Sequence, residues 1–223
     1  MASMVPMPRF PNGGQRPAGR PGRRQAGFSM IELLVVISIL LILAAMATPN
    51  IIETVANLKL RGSANTVSGL LQQARLMAVR DNKFYTVRIT TLGSSQIAYI
   101  DSIGTGATDG SGNGSRDSQE PAVQLSGTSQ FVTSGQPSFN TTTYMGLASS
   151  VVITGDTTLR VSFNNRGLPC KLSGSLCSTT ASGNPVAFVY FLTDQRPVNG
   201  WAAVSVLPGG RVRVWFWDGA RWE

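Results

Sequence analysis

No histidine occurs in the 223 residues, which removes the commonest general base and metal ligand. A nucleophile–His–acid set is therefore out of reach, and nothing in the chain reads as an enzyme. Only two cysteines are present, Cys170 and Cys177, too few for a zinc cage of cysteine alone. Charged side chains make up 13% of the chain against 42% hydrophobic, so it is not of the highly charged, disordered kind. The glycines of "GTGATDGSGNG" are followed by no Lys-Ser/Thr and sit in no strand-to-helix setting, which excludes a phosphate loop. No cofactor is expected. Acidic residues are missing altogether ahead of Gly27, where Arg9, Arg16, Arg20, Arg23 and Arg24 gather. The formal charge of +8 falls to +3 once those five arginines are set aside, so overall basicity says little about the remainder.

What is present divides into four parts. Residues 1–26 are rich in Pro, Gly and Arg, a composition that reads as disordered. Leu33 to Ile52 is an uncharged stretch of 20 residues, the length that crosses a bilayer as a helix. From Glu53 to about Arg80 the helical pattern turns amphipathic, with Val55, Leu58, Val67, Leu70, Leu71, Ala74 and Met77 at mixed spacings of three and four. Pro49 lies inside this joint helix. It removes a backbone donor and is expected to kink the helix rather than end it, because the period resumes beyond it.

Beyond Asp81 the texture is β-like. The best strands are Phe84–Ile89, Gln96–Ile100, Val151–Ile153, Leu159–Phe163, Ala187–Leu192, Ala202–Val206 and Arg211–Trp217. Gly104–Ser118 is a low-complexity loop. Asp101, Asp109 and Asp117 lie in or beside it with a spacing unlike an EF-hand, which leaves a solvated loop or a calcium site open. The expected class is α+β: a long N-terminal helix packed on a β-rich head.

The arginine-rich flank predicts a cytoplasmic N-terminus and a head on the far side of the membrane, where disulfides form. Cys170 and Cys177 are then expected to bridge, as a loop staple. The alternative is a redox or metal role, although the spacing is not CxxC.

The opening of the apolar segment, "GFSMIELLVV", raises a specific question. An ordinary secretory signal accounts for the basic flank, the apolar run and the "AMA" at Ala45–Ala47. It does not account for Glu32, since a charge within a bilayer costs roughly 2.5–3.5 kcal/mol on the gentler scales. The stretch "RRQAGFSMIELLVVISILLILAAMATPNI" resembles the class III signal of type IV pilins and type II secretion pseudopilins. That resemblance implies cleavage after Gly27 by a prepilin peptidase and methylation of the new N-terminus at Phe28. It implies a leader at 1–27, a membrane and filament-core helix at 28–52, its amphipathic continuation at 53–82 and a head at 83–223. Glu32 would then pair with the N-terminal amine of a neighbouring subunit, where two charges about 4 Å apart attract by several kcal/mol at an effective dielectric near 20. The alternative is a Glu32 that snorkels to the headgroups, held by its own N-terminus.

Within the superfamily, "LLQQARLMAVRDNKFYTVRI", "VSFNNRGLP" and "GGRVRVW" are similar to the FimT/GspH group of minor pilins and pseudopilins, and they come in that group's order. The resemblance implies a subunit used in few copies near a filament tip or in priming. Its partners would be other pilin or pseudopilin subunits, the prepilin peptidase and the inner membrane. A type IV pilus and a type II secretion system are both open.

The final strand, "GGRVRVWFWDGARW", carries the remaining motif. Alternation puts Arg211, Arg213, Trp215 and Trp217 on one face and Val212, Val214 and Phe216 on the other. With the second set as the core face, the first is expected to be an outward stripe of two guanidiniums and two indoles, able to meet phosphates and stack on bases. Gly210, Arg211, Val212 and Arg213 also match the G-R-x-R motif of FimT-like members linked to DNA capture. Three roles are open: DNA binding, a structural stripe with arginine lying over indole, or a subunit contact. Arg221 and Arg196 are auxiliary cations, diluted by Asp194, Asp218 and Glu223.

Overall fold

The computed structural model describes residues 27–102, 112–147, 151–154, 160–173, 176–194 and 200–223, without the side chains of 49, 50, 151–154 and 173. Two compact units divide the chain, Met1–Ala47 and Thr48–Glu223.

A single helix, α1 (Met30–Arg80), opens the described chain. It continues past Pro49, as the resumed period predicts. In the first unit every side chain of α1 is exposed, including the large apolar ones from Met30 to Met46. Glu32 lies in the first turn, where the positive end of the helix dipole favours a carboxylate.

In the second unit α1 buries Leu60, Ala64, Val67, Leu70, Leu71, Ala74 and Ala78, a stripe at spacings of three and four. The expected apolar face is corrected at its start. Val55 and Leu58 are exposed, because they lie off the stripe: Ala56, four residues before Leu60, is the half-buried position. The helix ends as capping rules require. Asn82 takes the left-handed conformation at φ 52°, and the Lys83 N–H donates back to Ala78 O at 3.2 Å.

Twelve strands follow among the described residues. The first sheet holds β1 (Tyr85–Leu92), β2 (Ser95–Asp101), β3 (Ala122–Gln124), β6 (Val161–Phe163), β7 (Pro169–Ser173) and β8 (Leu176–Ser178), in the order β3-β2-β1-β6-β7-β8. The second runs β12-β11-β10-β4, from β4 (Ser129–Val132), β10 (Asn184–Asp194), β11 (Trp201–Val206) and β12 (Val212–Phe216). Two further strands, β5 (Val151–Thr154) and β9 (Thr180–Ala181), pair with β10. Pairing is antiparallel except for β5 on β10. The expected α+β class is observed. The seven expected strands fall on β1, β2, β5, β6, β10, β11 and β12; the start of one, Leu159, lies outside the described residues.

Alternation along the second sheet sorts its side chains into two cores. Val186, Phe188, Tyr190 and Leu192 of β10 join Ala202, Val204 and Val206 of β11 in the main core, against α1 and against Val87, Ile100, Val161 and Phe163 of the first sheet. The intervening residues Ala187, Val189, Phe191 and Ala203 face the other way and build a second core with Met145, Trp215 and Trp222. That core is covered by the segment around α2 (Thr141–Met145), a short helix capped by Asn140, whose Oδ1 accepts Thr143 N–H at 3.0 Å. Both faces of this sheet are therefore buried.

Candidate functional site

Two regions concentrate the residues singled out by sequence. At the N-terminus, Gly27 has nothing within 4 Å of the position a Cβ would take, so packing does not demand a glycine there. Phe28 is 76% exposed and makes no core contact. Neither residue is explained by packing among the described residues. The same holds for the apolar surface of α1, which contains a stretch long and apolar enough to cross a membrane. Monomeric soluble proteins rarely expose a contiguous apolar patch larger than a few hundred Å².

The second region is the end strand β12. Val212, Val214 and Phe216 pack on the main core as expected. The opposite face departs from expectation. Trp215 is buried at 8% exposure, and its Nε1–H donates to Ser205 Oγ at 2.8 Å. Its ring meets Phe139 at 6.0 Å and Tyr144 at 5.6 Å, both edge-on. Trp217 is half-buried, 5.4 Å from the ring of Trp222. The expected outward stripe of indoles is thus corrected: Trp215 cannot stack on a base, because the α2 segment covers that face. What remains exposed is the arginine pair. Arg213 lies over the Trp215 ring at 4.5 Å, the arginine-over-indole arrangement left open by the sequence. Arg211 is exposed, and neither arginine has a carboxylate partner among the described residues.

Arg221 is occupied by comparison. Its Nη2 donates to Glu223 Oε1 at 2.9 Å and its Nε lies 3.5 Å from Asp218, and the Glu223 bond holds its pKa above the ordinary value. Its charge is largely spent within the chain. Arg196 lies outside the described residues.

Gly210 has a structural reason. Its φ is +77°, and a Cβ there would stand 2.2 Å from Gly167 O and 2.9 Å from Arg75 Nε. Only glycine lets the turn before β12 close onto the Asn164–Gly167 turn. Arg75 of α1 ties the two together: its Nε donates to Gly167 O at 3.0 Å and its Nη2 to Gly209 O at 3.4 Å. Sequence reasoning missed Arg75, whose only signal was a basic residue beside a buried helical stripe. It also missed Arg61, whose guanidinium lies 4.6 Å from the Phe216 ring centre.

The remaining candidates resolve as follows. Cys170 and Cys177 form the expected disulfide, with Cα atoms 5.3 Å apart, between β7 and β8. Asp101 is buried at the end of β2, paired with Arg88 and accepting Gly114 N–H at 3.0 Å. Burial raises its pKa despite that pairing. Asp117 accepts from Asn113 Nδ2 at 3.0 Å, while Asp109 lies outside the described residues. Among the described residues no group of three or more His, Cys, Asp or Glu is placed to hold a metal.

Neither a curated protein nor a solved structure gives a significant match to this chain. A family model described as the prokaryotic N-terminal methylation motif matches residues 22–48, and with the apolar helix that starts at Met30 it supports a type IV pilin-like protein.

Proposed function

We propose that this chain is a minor pilin or pseudopilin of the FimT/GspH-like kind, a structural filament subunit rather than an enzyme. Prepilin peptidase cuts after Gly27 and methylates Phe28. The helix 28–52 anchors the subunit in the inner membrane, with the arginine-rich leader cytoplasmic and the head outside, and becomes filament core on assembly. Pro49 kinks it there. Glu32 is the only charged side chain between Phe28 and Ile52, and it pairs with the N-terminal amine of a neighbouring subunit. An unpaired carboxylate would carry its burial cost uncompensated, so the pair favours docked register over the lone subunit.

The observation that carries the reading is the methylation motif at 22–48, joined to a helix whose apolar surface the chain leaves exposed. N-terminal sequencing of the membrane-extracted protein tests it. The expected sequence is N-methyl-Phe-Ser-Met-Ile-Glu. A start at Thr48, reading Thr-Pro-Asn, assigns the cut to ordinary signal peptidase and ends the filament reading.

A second reading concerns the head: capture of DNA through Arg211 and Arg213. It is favoured by their exposure without a carboxylate partner, in a G-R-x-R setting. The indole of Trp215 takes no part in it. A GspH-type pseudopilin of a type II secretion system, without DNA binding, is the competing assignment. Titration with duplex DNA at several salt concentrations separates them.

A further inference from the structure

A notch of about 230 Å³ lies where α1 meets the start of β12, lined by Gln72, Arg75, Leu76, Arg211 and Val212. Two guanidiniums border one small space, and none of its lining residues is acidic. Arg75 is oriented in advance. Its two hydrogen bonds go to the Gly167 and Gly209 carbonyls, which fix the plane of the guanidinium without cancelling its charge and leave N–H donors uncommitted. Arg211 enters from the other wall because Gly210 permits the close turn. Gln72, exposed on α1, adds a neutral amide whose Nε2 donates to Ser68 Oγ at 3.5 Å.

We propose that this notch seats a phosphodiester group of nucleic acid between Arg75 and Arg211, with Gln72 as a neutral donor. The inference rests on the DNA-capture reading and adds to it a contribution from the helix. A guanidinium held in place by Arg75's two hydrogen bonds and a second, exposed one from Arg211 suit phosphate geometry, since guanidinium donors match the oxygens in pairs. The cationic surface also continues. Arg213 lies two residues further along β12, on the same face as Arg211 and about 6.6 Å away at strand rise. Three arginines, Arg75, Arg211 and Arg213, with no carboxylate partner among the described residues fit a polyanion better than a single small anion.

The test uses the full chain in nonionic detergent and a short fluorescent duplex, titrated by anisotropy across about 50–200 mM salt. Wild type, Gln72→Glu, Arg75→Gln, Arg211→Gln, Arg213→Gln and Arg116→Gln are compared. Gln72→Glu is the informative variant, because it places a negative charge in the notch and keeps both Arg75 hydrogen bonds. It should weaken binding about twofold to fivefold, more at low salt. Arg75→Gln and Arg211→Gln should each reduce the log–log salt slope by about 0.9, one phosphate contact. Arg116, an exposed arginine that does not line the notch, serves as the control, and Arg116→Gln should leave affinity unchanged.

If Gln72→Glu and Arg75→Gln bind as wild type while Arg211→Gln and Arg213→Gln weaken, the notch is overturned and DNA capture stands on the strand alone. If wild type does not bind at low salt, both fall. A loss in Arg116→Gln equal to that in Arg211→Gln overturns the localisation. Binding to phosphatidylglycerol vesicles that exceeds binding to DNA, and is lost in the same variants, overturns nucleic acid as the partner.

Discussion

Replacing Gly210 by alanine tests how the β12 end of the head is built. The substitution adds one methyl group with its carbon 2.2 Å from the Gly167 carbonyl oxygen, well inside any real contact. It also forces a side chain into φ +77°. The backbone conformation alone costs about 1–2 kcal/mol for an L-residue. Relieving the collision separates the two turns and stretches the Arg75–Gly167 bond, a charged hydrogen bond of about 1.5–3 kcal/mol. Part of that bond survives as water replaces the carbonyl, so the expected total is roughly 2–4 kcal/mol. For a domain of this size that corresponds to a fall in melting temperature of roughly 6–12 °C. Circular dichroism or urea melts of the two neighbouring variants, Gly210→Ala and Gly209→Ala, provide the assay. Gly209 has nothing within 4 Å of its would-be Cβ and needs no positive φ, so Gly209→Ala should be neutral or stabilise by about 0.4–1 kcal/mol. Two variants that melt within about 0.5 kcal/mol of each other would refute the close-turn argument.

Trp215→Ala should destabilise the head by about 3–5 kcal/mol, as loss of a core aromatic, with Ser205 Oγ left unpaired; a folded, fully stable variant would return the indole to the surface. Asp81 accepts from Arg80 at 2.7 Å and from the Tyr85 hydroxyl at 2.8 Å, the first of which chiefly lowers its pKa to about 2. A depressed carboxylate contributes stability that is present above its unfolded pKa and lost as pH falls through the folded value. Asp81→Asn should therefore flatten the acid limb of the stability curve between about pH 4 and 2, and an unchanged limb counts against the pairing. Reducing Cys170–Cys177, which closes a short loop, should cost roughly 2–3 kcal/mol in the chain-entropy picture. Non-reduced peptide mapping of the exported protein should find no free thiol. Glu32→Ala should still reach the membrane but be missing from sheared filament fractions, and its recovery there at wild-type levels would refute the charge pair.

The sequence by itself determined whatever depends on local order. The uncharged run from Leu33 to Ile52 makes the exposed apolar helix, and the positions Gly27, Phe28 and Glu32 can be read without any coordinates. Alternation assigned the faces of β12 correctly: Val212, Val214 and Phe216 share one and Trp215 and Trp217 the other. Two cysteines a few residues apart could meet across a two-strand turn, and they do.

Only the tertiary structure decided what covers each face. Alternation says which side chains lie together, never whether a second layer packs on them. The layer over Trp215 comes from Phe139, Tyr144 and Met145, a segment with a helix of five residues and no periodic signal, brought in by distant contacts. The same reason hid the first contact of α1. Val55 and Leu58 fit a helical face loosely, but the sheets reach α1 along the exact stripe that starts at Leu60. Arg75 was hidden most completely. Its partners Gly167 and Gly209 lie 92 and 134 residues away, and both are backbone carbonyls, which leave no mark in a sequence. Its nearness to Arg211 follows from Gly210, whose missing Cβ has meaning only once the opposing carbonyl is in place.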